Sequence, residues 1–200
     1  MQIPKQSLIA VDMDDVLFDF LGEFFLWHNA VFGSQYQAAD MVYAKLWEVW
    51  GGTKQEALER ILRFWDERDL IPIEPISGAR EALNELKKHY RLAVVSARFE
   101  NTLESSQEWL DHYFPELFDE VILGISDPMA EERQRSKAEV CVDIGAKLLI
   151  DDQLVHAEEC RKVGIEVLLF GDQAHNQSDM LPAGVIRVAD WQAIVDLLAK

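Results

Sequence analysis

Leu8-Ile9-Ala10-Val11-Asp12-Met13-Asp14-Asp15 is the stretch on which the fold turns. Four apolar residues that stop at an acidic cluster describe a strand buried on both faces, its carboxyl end emerging at an edge of the sheet. The same pattern recurs at residues 92–95, 121–123, 148–150, 167–170 and 185–188, each a short run rich in Val, Ile and Leu. Between these runs, residues 79–90, 102–114, 137–145, 154–163 and 191–199 place apolar side chains at three- and four-residue spacing, as amphipathic helices do. Strand and helix alternate from about residue 76 onward. The expected architecture is therefore α/β, a Rossmann-like, doubly wound and mostly parallel sheet.

Helix ends carry their own signals. Ser136 with Glu139, Asn101 with Glu104, and Thr53 with Glu56 have capping-box spacing, in which a short polar side chain accepts from free helix amides and the acid reaches back. Gly145 and Gly164 stand where a left-handed C-terminal residue would fall. Residues 17–71 break the alternation, reading as helices over 17–32, 37–50 and 54–66 with no strand between them. They hold twelve of the chain's twenty aromatic residues. We expect a small helical cap over residues 17–72, inserted into a core formed by residues 1–16 and 73–200.

Two hundred residues are enough for one self-sufficient core with one modest insertion. A composition that is 49% hydrophobic and 28% charged is that of a globular chain, not of a disordered or disulfide-stapled one. The formal net charge of −17 disfavours stable binding to nucleic acid or to an anionic membrane. Cys141 and Cys160 both fall in helical patterns, and residues 1–7 lack the charged start and apolar run of a signal peptide. A cytoplasmic protein, monomer or homodimer, is the expectation.

Candidate chemistry lies at the strand ends. Asp12 and Asp14, two residues apart, point the same way on an extended backbone, and such a pair calls for a cation or a shared proton. An acidic surface turn would read the same. Asp151 and Asp152 repeat the strand-then-acid pattern after residues 148–150, and in an open α/β sheet both pairs converge on the ligand-binding edge. Mg2+, which takes oxygen ligands and keeps several waters, suits that set. Ser96 ends the run at 92–95, where its hydroxyl and the nearby backbone amides would meet the same edge. Lys137 opens a helix, a place where the dipole disfavours a cation unless an anion is near. Each of these two, taken singly, is more often a turn serine or a surface lysine.

Together they resemble the four ordered motifs of the haloacid dehalogenase (HAD) superfamily. Asp12-Met13-Asp14-Asp15-Val16 is similar to the first motif, Ser96 to the second, Lys137 to the third and Leu149-Ile150-Asp151-Asp152 to the fourth. The resemblance implies a phosphatase. Asp12 would be the nucleophile, Asp14 the acid and base, and Ser96, Ala97 and Lys137 the phosphate-binding groups. Asp12, the backbone carbonyl of Asp14 and Asp151 or Asp152 would hold Mg2+. The acid at position 14 favours phosphate esters over halides. The run from Asp12 to Phe20 and the segment Glu74-Pro75-Ile76-Ser77-Gly78-Ala79 look like the 5'(3')-deoxyribonucleotidase branch, which implies a nucleoside monophosphate with Phe20 stacked on the base. Trp47, Trp50 and Trp65 could line the same cavity, since bases present π faces, or could supply the cap's own core. Two departures stand out: Asp15 where the superfamily often has Gly, and Ser96-Ala97-Arg98 where the branch commonly has Thr-Ser-Pro. Arg98 could touch a phosphate or the substrate's sugar side, or equally pair with a surface acid.

Three other readings remain open at this level: a phosphatase of another small metabolite such as a sugar phosphate, a phosphotransferase, and a phosphate-binding regulatory module. The five histidines lack zinc-ligand spacing, and the sequence carries neither a Gly-Lys-Ser/Thr phosphate loop nor a Gly-rich dinucleotide fingerprint.

Overall fold

The structure, a computed structural model, describes residues 3–41, 45–125, 135–178 and 180–199. Six strands, β1 (Leu8–Val11), β2 (Arg91–Val95), β3 (Glu120–Ile122), β4 (Ala146–Asp151), β5 (Glu166–Phe170) and β6 (Val185–Val188), form one sheet in the order β3-β2-β1-β4-β5-β6. Every pairing is parallel. The helices among the described residues are α1 (Phe20–Phe32), α2 (Leu46–Trp50), α3 (Lys54–Glu67), α4 (Ala79–Lys87), α5 (Leu103–Tyr113), α6 (Lys137–Asp143), α7 (Leu154–Lys162) and α8 (Trp191–Leu198). None of them is long and apolar enough to cross a membrane.

The apolar runs are continuous because helices cover both faces of the sheet. Ile9 and Val11 enter one core cluster and Ala10 the other; Leu148 and Ile150 against Leu149 repeat the split on the neighbouring strand. Side chains from α6 and α7, including Cys141 and Cys160, fill one side, while Leu83, Trp109 and Trp191 from α4, α5 and α8 fill the opposite side. Both cysteines are buried free thiols.

The capping boxes of α3 and α6 form as expected: Thr53 Oγ1 accepts the Glu56 N–H at 3.2 Å, and Ser136 Oγ the Glu139 N–H at 3.2 Å. The box expected at Asn101 does not. A 3-10 turn, Glu100–Thr102, runs straight into α5, Thr102 Oγ1 donates to the Phe99 carbonyl at 2.7 Å, and Asn101 donates to Asp66 instead. The helix expected over 37–50 is also broken. Gln37 and Asp40 cap a 3-10 turn at Ala38–Asp40, α2 begins at Leu46, and residues 42–44 lie outside the described residues.

The chain leaves β1 for the α1–α3 segment and returns at α4, and the core fixes both connections. Trp191 Nε1 donates to the Val16 carbonyl at 3.0 Å and Trp109 Nε1 to the Ile73 carbonyl at 2.8 Å, while the Ile76 N–H bonds the Leu17 carbonyl at 2.8 Å. Two fully buried indoles thus find partners at the exit and re-entry points of the segment.

Candidate active site

The site begins with a turn. After β1 the chain doubles back, with the Leu17 and Phe18 N–H groups both on the Met13 carbonyl at 2.9 Å and the Asp15 N–H on the Phe18 carbonyl at 2.7 Å. Asp15 occupies the left-handed region at φ 57°, where Asp is tolerated better than most side chains. Its carboxylate is buried and accepts the Leu21 N–H at 3.0 Å, so the acid that replaces the superfamily's Gly also ties down the start of α1. Burial, then the charge of Asp152, pushes its pKa well above the ordinary carboxylate value.

Sheet order brings the two acidic motifs together. Val11 pairs with Ile150, and the Asp12 N–H continues the ladder to the Ile150 carbonyl at 2.9 Å, so Asp12 and Asp151 stand at adjacent strand ends. Between them lies Lys137, the first residue of α6, with Nζ 2.6 Å from Asp12 Oδ2 and 2.7 Å from Asp151 Oδ2; all three side chains are buried. The ammonium lies between the two carboxylates, and its charge favours the ionised form of each. Burial opposes ionisation of Asp151, but Lys137 and His156 outweigh it and its pKa falls; burial likewise opposes charged Lys137, yet Asp12 and Asp151 raise its pKa. For Asp12 the balance goes the other way. Burial and the charges of Asp151, Asp152 and Asp14 outweigh Lys137 and raise its pKa well above the usual range.

That imbalance bears on a metal. Ligand oxygens of Asp12, Asp151 and Asp152 lie within 4.8 Å of one another, and Asp152 Oδ1 is buried without a hydrogen-bond partner. One lysine leaves excess negative charge among these acids. An all-oxygen set of hard donors with an unpaired carboxylate oxygen fits a divalent cation of the Mg2+ class.

Of the other residues singled out in the sequence, Ser96 is buried just past β2, with its N–H on the Ile122 carbonyl at 2.9 Å and its Oγ accepting the Arg98 N–H at 3.3 Å; Ala97 is half-buried beside it. A cavity of about 240 Å³ is lined by Asp14 and Asp152 from the sheet edge and by Phe20, Leu46, Trp47 and Ile61 from the α1–α3 segment; Asp12, Ser96, Ala97 and Lys137 lie outside its lining. Trp65 and Trp50 do not line it. Trp65 stacks behind Phe20 at 5.4 Å, and Trp50 stacks on His28 at 5.1 Å. Nor does Arg98 line the cavity, since its buried guanidinium pairs with Asp14 at 2.7 Å.

Two histidines of the edge went unread in the sequence. His156 Nδ1 sits 3.0 Å from Asp151, and His175 Nε2 2.7 Å from Asp152 with its Nδ1 unpartnered. Their signal was position and not spacing, for each follows the carboxyl end of a strand, His156 after β4 and His175 after β5. Gln153 and Lys54 also line the cavity.

Two pairs of carboxylates follow the central strands of this wholly parallel sheet, with a lysine from α6 between them, and with the family and relative that the chain matches they define a class: a HAD-type hydrolase of phosphoric monoesters. Residues 6–200 match the model of the family described as 5' nucleotidase, deoxy (pyrimidine), cytosolic type C protein, and the chain belongs to that family. It is 25% identical over 194 residues to a 5'(3')-deoxyribonucleotidase of Bacillus subtilis, covering 94% of this chain and 96% of the relative. Among solved structures it resembles a haloacid dehalogenase-like hydrolase of Streptococcus pneumoniae, with TM-score 0.65, 16% identity and coverage of 96% of this chain and 98% of the other. A HAD-superfamily hydrolase of subfamily IA from Geobacter sulfurreducens gives TM-score 0.61 at 19% identity, with coverage of 96% and 100%.

Proposed function

We propose that this enzyme hydrolyses a nucleoside monophosphate in the cytoplasm with Mg2+, through an aspartyl-phosphate on Asp12. The supporting observation is a cavity lined both by Asp14 and Asp152, the latter with Asp12 in the acidic cluster, and by the aromatic residues Phe20 and Trp47. Phosphoryl chemistry would proceed at the acids and the base would rest against the aromatic residues. In this reading residues 1–16 and 73–200 form the catalytic core and residues 17–72 the cap.

In the first step a carboxylate oxygen of Asp12 attacks phosphorus, the bond to the ester oxygen breaks, and the proton of Asp14 passes to the departing alkoxide. A water then attacks the aspartyl-phosphate and returns a proton to Asp14, and the bond between Asp12 and phosphorus breaks. Ser96, the Ala97 backbone N–H and Lys137 bind the non-bridging oxygens, with Lys137 already 2.6 Å from Asp12. Asp12, the Asp14 carbonyl, Asp151 and Asp152 would hold Mg2+, which supplies charge neutralisation of the transferring phosphoryl group.

The test is phosphate release from nucleoside monophosphates, sugar phosphates and p-nitrophenyl phosphate, with Mg2+ and with chelator, alongside Asp12→Asn. Turnover that favours nucleotides, needs the metal and vanishes in the variant is expected. Turnover confined to sugar phosphates would discard the base-binding cavity, and undiminished activity in Asp12→Asn would overturn the nucleophile.

A further inference from the structure

Arg98 is buried where charge is rarely left unpaired. Its Nε and Nη2 both donate to Asp14 Oδ1, at 3.0 and 2.7 Å, and its Nη1 donates to Ser106 Oγ at 2.9 Å. The guanidinium lies 4.6 Å from the ring centre of Phe18 and 4.3 Å from that of Trp65. Its hydrogen bonds and ring contacts fix the plane of the guanidinium, and that plane fixes one oxygen of Asp14. Asp14 Oδ2 makes no hydrogen bond among the described residues, and Asp14 lines the cavity that Arg98 does not reach.

We propose that Arg98 is the positioning residue for Asp14: it occupies Oδ1, so that the proton delivered to the leaving oxygen is carried on Oδ2. The proposal rests on the reading of Asp14 as the acid of the first step. It assigns Arg98 to the acid and not to phosphate or sugar, the two contacts that its place after Ser96 also allowed. Trp65 belongs to α3 and stacks on Phe20, a cavity residue, so the side chain that orients the acid also packs against the segment that supplies the cavity's aromatic lining.

Leaving groups provide the test. An alkyl phosphate or nucleotide expels a basic alkoxide and needs the proton, whereas p-nitrophenyl phosphate expels a weakly basic phenolate and does not. The kcat/KM value covers the first transfer alone, and the ratio of kcat/KM for the two esters, measured on one preparation, is independent of the fraction of protein that is folded. For Arg98→Gln this ratio should shift by about 10²-fold against the alkyl ester, the usual worth of a placed general acid. In an Asp14→Asn background the same substitution should leave the ratio unmoved, because Arg98 then has no acid to position. Should Arg98→Gln not accumulate as folded protein, Arg98→Lys, which keeps the charge but loses the paired donors and the flat stacking surface, should shift the ratio in the same direction by a smaller factor. An equal loss on both esters in whichever variant folds would identify Arg98 as a phosphate-binding or purely structural residue and overturn the proposal. Absence of turnover of any ester by the unsubstituted enzyme would instead overturn the phosphatase reading itself.

Discussion

Two polar clusters in this molecule, one half-buried around His28 and one buried at the sheet edge, contain histidine, a cation and their partners, and they differ in whether the bonds close. In the α1–α3 segment, His28 is satisfied on both ring nitrogens, by Ser34 Oγ at 2.8 Å and by Arg60 Nη1 at 2.7 Å. Ser34 in turn donates to Asn29 Oδ1 at 2.7 Å, which also accepts the Tyr36 N–H at 2.9 Å. Donors and acceptors match if His28 is neutral with its proton on Nδ1. At the sheet edge, three buried acids (Asp12, Asp151 and Asp152) share one lysine, and Asp152 Oδ1 and His175 Nδ1 have no partner. A closed network is finished as structure. An open one, with unpaired atoms that cost free energy in the absence of a ligand, is where a cation and an anion have something to gain.

Lys137→Met breaks the open cluster most severely. The substitution leaves Asp12 and Asp151 buried against each other with no cation, a loss of about 3–5 kcal/mol by analogy with other broken buried pairs. Turnover should fall by orders of magnitude in the same variant, since Lys137 is proposed to bind phosphoryl oxygens. The stability deficit has a direction in pH. Without the lysine both carboxylates resist ionisation in the folded state, so the variant gains protons relative to its unfolded chain as pH falls, and its deficit should shrink from pH 8 to pH 5. Urea denaturation of both proteins at the two pH values reads this directly; a deficit that stays constant would mean that the ammonium contributes packing alone.

Phe20→Ala tests the aromatic lining of the cavity. Stacking of a base on an aromatic side chain is worth about 1–3 kcal/mol, so kcat/KM for a nucleoside monophosphate should fall by roughly tenfold or more relative to that for a small ester without a ring. Equal losses would show that Phe20 supports the segment, through Phe24 at 5.6 Å and Trp65 at 5.4 Å, and touches no substrate.

How much of this was readable follows from what a chain can encode locally. The strands were legible because helices on both faces demand unbroken apolar runs, and the acids at 12, 14, 151 and 152 because they interrupt such runs at the functional edge. Lys137 announced itself by standing at a helix start, and there it meets Asp12 and Asp151. Arg98 could not be read the same way. Its partner Asp14 is 84 residues away, and only the pairing of β1 with β2 brings the two strand ends side by side. Phe20, Trp47 and Trp65 share a residue class and a helical setting, so no spacing rule tells the rings that line the cavity from the one stacked behind. His175 was invisible for a related reason: a lone histidine has no motif until the neighbouring strand end delivers Asp152 to it.

The smallest predicted effect concerns the closed cluster and is a test of closure itself. Burial and the charge of Arg60 lower the pKa of His28 from 6.5 to about 4. Between those values the unfolded chain binds a proton that the folded protein refuses, so this group contributes stability that is present above about pH 6.5 and is lost as pH falls toward 4. Glu56 and Glu67, held below their usual 4.5 by Thr53 and by Arg63, lose their contributions only further down. The raised acids of the sheet edge run in the opposite direction, but they are common to both proteins in a comparison with His28→Gln, which keeps an acceptor for Arg60 and cannot titrate. The difference in unfolding free energy between wild type and variant should therefore move against the wild type by on the order of 1 kcal/mol from pH 7 to pH 5, after allowance for solvent screening. Parallel curves would mean that the ring accepts a proton inside the fold, which requires Arg60 to leave Nε2 and the network to open.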